Sequence, residues 1–377
     1  MYGKVTIGLN KAKEQLLKAY EKEDEYIQKI IIDVFGFSRG STAARHFVHR
    51  HLTLRGPWPG QGPPELEVNF VGLFETVTLV GNVLQGKTEG IFDDDVKQLG
   101  LNLGATPNKV IHLGAADEMR ENFSLTTINS SLDAGIGVEL LMPGVYSDIG
   151  GGYAERAQEE IRRIRSAAEK KDLIDGGWYK PYQFQPVYDM RTPEIPSWYV
   201  SAGEIRVPIT PAIPSKSLLS LWENGIRQLT NEYQYVPLYL MLDFARHHSQ
   251  QLATEFADLS GEFAAYQVPA ELVALRDNFL RQARSKEGTG RGEISCPPGE
   301  QPGQLYWLRN RYLHRSFTEF KIGMGPAKHN ARTIIDDRLL VDKPSRQALN
   351  ATSQGMQRAR EAVSGDIRRA GRVFFGQ

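Results

Sequence analysis

A chain of 377 residues, in which 45 lysines and arginines balance 45 aspartates and glutamates, can bury a large core and has no net field to draw it to nucleic acid or anionic lipid. Its single cysteine, Cys296, excludes an internal disulfide framework, and no His/Cys spacing suits zinc. No run of about eighteen apolar residues occurs, and the opening MYGKVTIGLNKAKEQLLKAY lacks the apolar core of a secretory leader, so the expected product is a soluble protein of a reducing cytoplasm.

Apolar residues at helical spacing (Ile7, Leu9, Leu16, Leu17, Tyr20) predict an amphipathic helix over Val5–Tyr26. A β-branched run, Ile30–Phe35, reads as a buried strand that passes through GFSRG into a helix over about Thr42–Leu52. After the Pro/Gly loop RGPWPGQGPPE, three more strands are expected: EVNFVGLFETV (67–77), NKVIHLGAAD (108–117) and GVELLMPGVYSDIGGGY (137–153). Strands separated by helical or loop segments, each ending in polar or glycine-rich residues, predict an α/β fold. Its sheet should be mostly parallel, with the functional edge at the C-terminal ends of the strands.

Beyond residue 154 the character changes. AERAQEEIRRIRSAAEKKDLI reads as a charged helix, GWYKPYQFQPVYDMRTPEIPSWYV as an aromatic, proline-rich stretch, and PLYLMLDFARHHSQQLATEF and PAELVALRDNFLRQARSKE as amphipathic helices. A polar Gly/Pro loop over about 286–304 precedes QLYWLRNRYLHRSFTEF, and the last segment, from SRQALNATSQ onward, reads as a basic helix or tail. The expected division is a core over 1–154, a helical cap or insertion over 155–304, and a return to the core with a basic C-terminal segment over 305–377.

Gly36-Phe37-Ser38-Arg39-Gly40 fits G-x-S-x-G, in which Gly36 and Gly40 permit a tight strand-to-helix turn that pushes the Ser38 hydroxyl outward. The following helix aims its unpaired N–H groups at the same spot, and the Arg39 amide becomes a candidate oxyanion donor. The pentapeptide alone is weak in a chain with 36 glycines; the strand before it and the helix after it carry the reading. The structural alternative is a serine that merely caps a helix.

A serine nucleophile needs a base and an orienting acid later in the chain. Candidate acids at strand ends are Glu75, Asp117 and Asp148, of which Asp117, in the run ADEMR, fits a loop network better than catalysis. Among the eight histidines, His46, His49 and His51 lie on the helix after the turn, His112 lies within a strand, and His247 and His248 suit a helix C-terminus. His314, in NRYLHRSF, is left as the candidate base by chain order.

Taken together these pieces resemble the α/β-hydrolase phospholipase effectors of bacterial type VI secretion. DVFGFSRGSTAARHF is similar to that family's elbow, VNFVGLFETV to its next strand, which usually ends in Trp/Phe-Asp-Thr-Val, and ADEMRENF to its Asp-Glu-x-Arg segment. LLMPGVYSDIGGGY resembles its Pro-Gly-x-His-Ser-Asp-x-Gly-Gly-Gly-Tyr block, and RYLHRSF its late Tyr-x-His-x-Ser. The resemblance implies an α/β-hydrolase-like sheet with a helical cap, and hydrolysis of membrane phospholipid esters by Ser38 without metal or organic cofactor. It also implies delivery by type VI secretion to a competing cell, and a secretion spike protein and an immunity protein as partners.

Three departures bear on activity. The family usually opens with a strand bearing Phe-Asp-Gly-Thr, and nothing like it precedes Ser38, so a second oxyanion N–H is expected to be missing. Glu75 stands where the family has Asp, and Tyr146 where it has His. A phenol, with an ordinary pKa near 10, is a poor base at neutral pH. If the base belongs to the glycine-rich block, the chain is inert and serves only for binding; if it is the later histidine, His314 completes Ser38, an acid at Glu75 or Asp148, and a base. A nucleotide-cradling role for Gly150-Gly151-Gly152 is the third reading, against which stands the absence of G-x-x-x-x-G-K-[ST].

Overall fold

The computed structural model describes residues 10–16, 18, 27–50, 64–78, 99–120, 123–164, 166–188, 220–296, 303–316 and 332–338. In chain order its strands are β1 (Lys29–Phe37), β2 (Glu65–Phe74), β3 (Lys109–Ala115), β4 (Leu125–Thr126), β5 (Gly137–Met142), β6 (Arg156–Ile164), β7 (Phe184–Tyr188), β8 (Ser220–Thr230), β9 (Arg291–Glu293) and β10 (Ile334–Ile335). The helices are α1 (Arg39–Arg50), α2 (Asn129–Asp133), α3 (Tyr146–Gly150), α4 (Ala167–Asp175), α5 (Tyr235–His248), α6 (Gln250–Glu255), α7 (Ala270–Lys286) and α8 (Gly303–Arg311). Of the amphipathic helix expected at 5–26, residues 10–16 and 18 are helical and the rest lie outside the described residues, as do the loop at 55–63 and the segments 189–219 and 339–377.

The central sheet has the order β1-β2-β3-β5-β9, and every neighbouring pair is parallel. The expected α/β class and parallel sheet are therefore present, with β1 at one edge of the described sheet. Side chains two apart share a face, which splits the apolar runs between two cores. Phe70, Ile111, Leu113, Val138, Leu140 and Met142 pack under α5 and α7, whose Val236, Leu240, Phe244, Leu272, Leu275 and Phe279 are buried. Val71, Leu73 and Val110 face the other way, onto Ala44 and Val48 of α1 and onto Ile128. Cover on both faces is why β3 and β5 read as nearly continuous apolar runs rather than alternating ones.

One polar cluster sits inside this second face. The Glu139 carboxylate accepts from His112 Nδ1 (3.0 Å), the Ile128 amide (3.0 Å) and Arg291 Nε (2.9 Å), while His112 Nε2 accepts from the Thr76 amide (3.1 Å). Burial alone raises the Glu139 pKa, but His112, Arg291 and the amide outweigh it and hold the group at about 2, against an ordinary 4.5. A depressed carboxylate stabilises the fold above its unfolded pKa and loses that contribution as pH falls through the folded value. On the order of 3 kcal/mol is at stake. Urea midpoints of the parent chain should thus fall between pH 4.5 and 2 more steeply than those of Glu139→Gln; parallel curves would contradict this.

Two expectations are corrected. The segment AERAQEEIRRI, expected as helix, forms strand β6, which pairs antiparallel with β8; β7 lies on the other side of β8. Its helix-favouring residues are overridden by cross-strand partners: Glu159 opposes Arg227, Gln158 opposes Gln228, and Glu160 accepts from Asn224 (2.8 Å). Helix begins only at Ala167, where Ser166 caps it by accepting from the Glu169 amide (3.0 Å). Within the loop expected at 286–304, Arg291–Glu293 joins the central sheet as β9, and α5 to α7 pack directly on that sheet. The packing thus runs across the boundary expected at residue 304, and the part standing apart from the sheet is the small antiparallel unit of β6, β7, β8 and α4.

A late segment straps the core. β10 runs parallel to β4. The Asp337 carboxylate, fully buried, meets Arg45 Nη2 of α1 at 2.8 Å and accepts from the Ser130 amide at 3.0 Å.

Candidate active site

The turn between β1 and α1 has the form an elbow needs. Ser38 lies at φ 60°, a left-handed conformation that costs a non-glycine residue energy and persists only when its surroundings fix it. They do so here: the Ser38 amide donates to Phe74 O (3.0 Å), and Ser41 Oγ donates to Gly36 O (2.6 Å) and Phe74 O (2.8 Å). Gly36 is required by close approach, since a Cβ there would lie 2.6 Å from the Gly40 and Ser41 backbone. Gly40 is not, since a Cβ would meet nothing within 4 Å. Arg39 is the first residue of α1, so its amide has no intrahelical acceptor and lies beside the Ser38 hydroxyl.

The acid and base come from α3 and the loop after α8. Asp148 is buried; its Oδ1 accepts from His314 Nδ1 (2.8 Å), and its Oδ2 accepts from the His314 amide (3.0 Å) and the Val145 amide (3.0 Å). His314 therefore carries its proton on Nδ1, and Nε2, buried and without a hydrogen-bond partner among the described residues, is the nitrogen left to act as base. The Tyr153 ring stacks on the imidazole, with centroids 3.5 Å apart and planes 12° apart, and fixes its plane. Burial pushes the Asp148 carboxyl up while His314 and the two amides pull it down. A carboxylate so short of water gains most when the imidazole beside it becomes charged.

The glycine-rich block joins the two halves. A Cβ on Gly150 would sit 2.0 Å from the Phe37 ring, so glycine lets the elbow pack against the helix that carries Asp148. Gly151 and Gly152 follow at φ 83° and 120°, and backbone geometry accounts for the run as an anion cradle need not. Tyr146 opens α3, and its ring packs on Phe37, the residue before Ser38, with centroids 4.7 Å apart. Of the two positions open for a base, His314 is the one paired with a carboxylate.

Glu75 is placed differently from the expectation that gave it a share in the acid role. It is fully buried at φ 50°, and its two oxygens take the fork of Arg332, Nη1 at 3.0 Å and Nη2 at 2.5 Å, while the Ala115 amide also donates to it. It makes no contact with His314. Asp117 accepts from the Gly144 amide (2.8 Å) and pairs with Arg309 (2.7 Å), the loop network expected of it. His46 and His49 are turned to the carbonyls of Leu99 (2.5 Å) and Asn102 (2.8 Å), away from the elbow.

Sequence reasoning missed the residues that hold the His314 loop. Arg227, fully buried on β8, donates through Nη2 to Leu313 O (2.8 Å) and through Nε to Glu159 (2.7 Å), and Glu159 accepts from the Arg315 amide (2.7 Å). On the other side Glu118 accepts from Ser316 Oγ (2.8 Å), the Tyr146 amide (3.1 Å) and Arg120 Nε (3.0 Å). Arg227 lies on β8, a segment in which the sequence announced no element, and so gave no signal; Glu118 had one, the Asp-Glu-x-Arg run. In the aromatic, proline-rich stretch, Tyr179 is 1% exposed and Trp178 lies under the Arg227 and Arg309 guanidinium groups, so both are packing residues, and 189–199 lie outside the described residues.

Residues 60–169 match the family of the type VI secretion phospholipase effector Tle1-like catalytic domain. A solved structure of the Tle1 effector bound to the VgrG spike from the type 6 secretion system is similar at 21% identity and a TM-score of 0.53, over 88% of this chain and 73% of that one. Residues 60–169 are Tle1-like in sequence, and the chain resembles Tle1 in fold. A second structure, an uncharacterized protein from Pseudomonas aeruginosa, aligns at 18% identity over 82% of this chain and 42% of that one, and its TM-score of 0.27 carries no argument. No curated protein matches. The Tle1-like match spans Glu75, Tyr146 and Asp148, and stops short of Ser38 on one side and His314 on the other; the geometry is what joins these to it.

Among the described residues one group could hold a metal: His247, His248 and Glu287. It lies beside Lys109, at the N-terminal end of β3 and so away from the Tle1-like site, with the Lys109 ammonium 3.6 Å from Glu287 and His248 Nε2 2.7 Å from the same carboxylate. The pairing reads as charge settling at the end of α5. Among the described residues no helix is long and apolar enough to cross a membrane.

Proposed function

We propose that this chain is a phospholipase of the A type, a serine esterase that cleaves acyl ester bonds of membrane phospholipids. Ser38 Oγ attacks the acyl carbonyl, His314 Nε2 takes its proton, and Asp148 holds the imidazole tautomer and the imidazolium that forms. The observation that carries this is the Asp148–His314 pair, its Nε2 without a partner among the described residues, on a helix α3 whose Gly150 packs against Phe37 of the left-handed elbow. The hydroxyl and Nε2 are not yet hydrogen-bonded; such contacts tighten when substrate binds. Glu75 belongs to the supporting structure, joining the elbow strand's neighbour to Arg332. The chemistry needs no metal or organic cofactor. The Tle1-like match supports phospholipid as substrate, delivery by type VI secretion and a spike protein as partner; an immunity protein is proposed from the family resemblance alone.

The test is release of fatty acid from vesicles of phosphatidylglycerol and phosphatidylethanolamine by the purified chain. Release by the parent, absent in Ser38→Ala, is the expected result. No release in the parent, restored by Tyr146→His, would instead support the inert, binding-only reading.

A further inference from the structure

Tyr146 has no part in the proton relay described above, yet its ring packs on Phe37 of the elbow, and the Ser38 hydroxyl is among the groups that act on its phenol. The residue is held from behind and from both sides. Its amide donates to Glu118 Oε2 (3.1 Å), a carboxylate itself fixed by Arg120 and Ser316. Its ring lies between Phe37 (centroids 4.7 Å apart) and Phe123 (5.0 Å, edge-on), with the Arg120 guanidinium 5.4 Å away. A half-buried phenol clamped in this way holds its hydroxyl in one place beside the elbow.

We propose, resting on the serine-esterase reading, that the Tyr146 phenol is the second oxyanion donor of this site, sharing with the Arg39 amide the charge that develops on the substrate's acyl oxygen. Acyl transfer places negative charge on that oxygen in the tetrahedral state, and donors already aimed there lower the barrier most. The oxygen is bonded to the carbon that Oγ attacks, so a donor held beside the elbow is near the place where that charge develops. As Oγ adds to the carbonyl carbon, its proton passes to His314 Nε2, the carbonyl π pair moves onto oxygen, and Tyr146 donates a hydrogen bond without giving up its proton. On collapse the pair returns, the bond to the glycerol oxygen breaks, and His314 protonates that oxygen; water repeats the sequence on the acyl-enzyme. Burial pushes the phenol up from its ordinary 10, only partly offset by the Ser38 hydrogen bond and by Arg120 and Arg39, so it stays a donor across the working range. The property that makes tyrosine a poor base here makes it a durable donor.

The experiment compares the full-length parent with Tyr146→Phe on a soluble butyrate ester. Loss of one such donor lowers kcat by about 100- to 1,000-fold with KM little changed. The affinity for a boronic acid, which forms a tetrahedral adduct on Ser38, should fall by a similar factor. Incorporating 3,5-difluorotyrosine at 146, which keeps the shape and lowers the phenol pKa, should bring a loss of rate on the alkaline side that the parent lacks; it also serves where Tyr146→Phe fails to fold. Turnover of Tyr146→Phe within threefold of the parent or above it, or a kcat loss with unchanged boronate affinity, overturns the proposal. A parent whose Ser38 takes up no fluorophosphonate overturns the esterase reading itself, and a labelled Ser38 with unchanged turnover in Tyr146→Phe overturns the donor role alone.

Discussion

Ser38→Ala and His314→Ala each lower kcat for ester hydrolysis by about a millionfold, and the double substitution lowers it no further. Nucleophile and base act as one unit, so removing either leaves only the background supplied by binding and the oxyanion donors. Neither change should unfold the chain. Ser38 is half-buried and its strained turn is held by backbone and Ser41 contacts that alanine keeps. His314 contributes its backbone amide to Asp148 whatever its side chain. Unfolding midpoints measured beside the rates check this, and a His314→Ala variant that retains a tenth of parental kcat would remove His314 from the base role.

The second large effect separates two carboxylates that the sequence leaves equivalent. Asp148→Asn lowers kcat by about ten-thousandfold, because an amide donor beside Nδ1 forces the wrong imidazole tautomer. Glu75→Gln leaves kcat within a few-fold but lowers stability by about 3–5 kcal/mol, because it strips the partner from a buried Arg332. Steady-state rates and urea unfolding on both variants give the comparison. The reverse pattern, with activity lost in Glu75→Gln and kept in Asp148→Asn, would place the acid on β2 instead of α3.

Much of the site was legible because local pattern and long-range geometry agree there. A β-branched run into G-x-S-x-G followed by a helix-forming segment can hardly fold otherwise than as strand, turn and helix, and β1 and α1 meet at Ser38 as that order requires. His314 emerged by chain order, with the structure adding what order could not, the bond to Asp148. Glu75 could not be assigned because the group that claims it, Arg332, lies 257 residues away. Strand β6 was misread for a related reason: Gln, Glu and Arg favour helix locally, and only the opposing residues of β8, more than sixty positions on, turn them into a strand. β9 is three residues long in a glycine-rich run and has no periodicity to read. Tyr146 looked like a defect when measured against a base; its packing on Phe37 beside the elbow is what supports the different use proposed for it.

The central claim is that Ser38 is a nucleophile activated by His314. The most direct measurement is peptide mapping of the chain after treatment with a fluorophosphonate. The account predicts one adduct, on the peptide containing Ser38, formed quickly in the parent and slowed at least a thousandfold in folded His314→Ala, about the loss expected when the base is removed. An adduct elsewhere, or labelling of Ser38 at the same rate without His314, would contradict it.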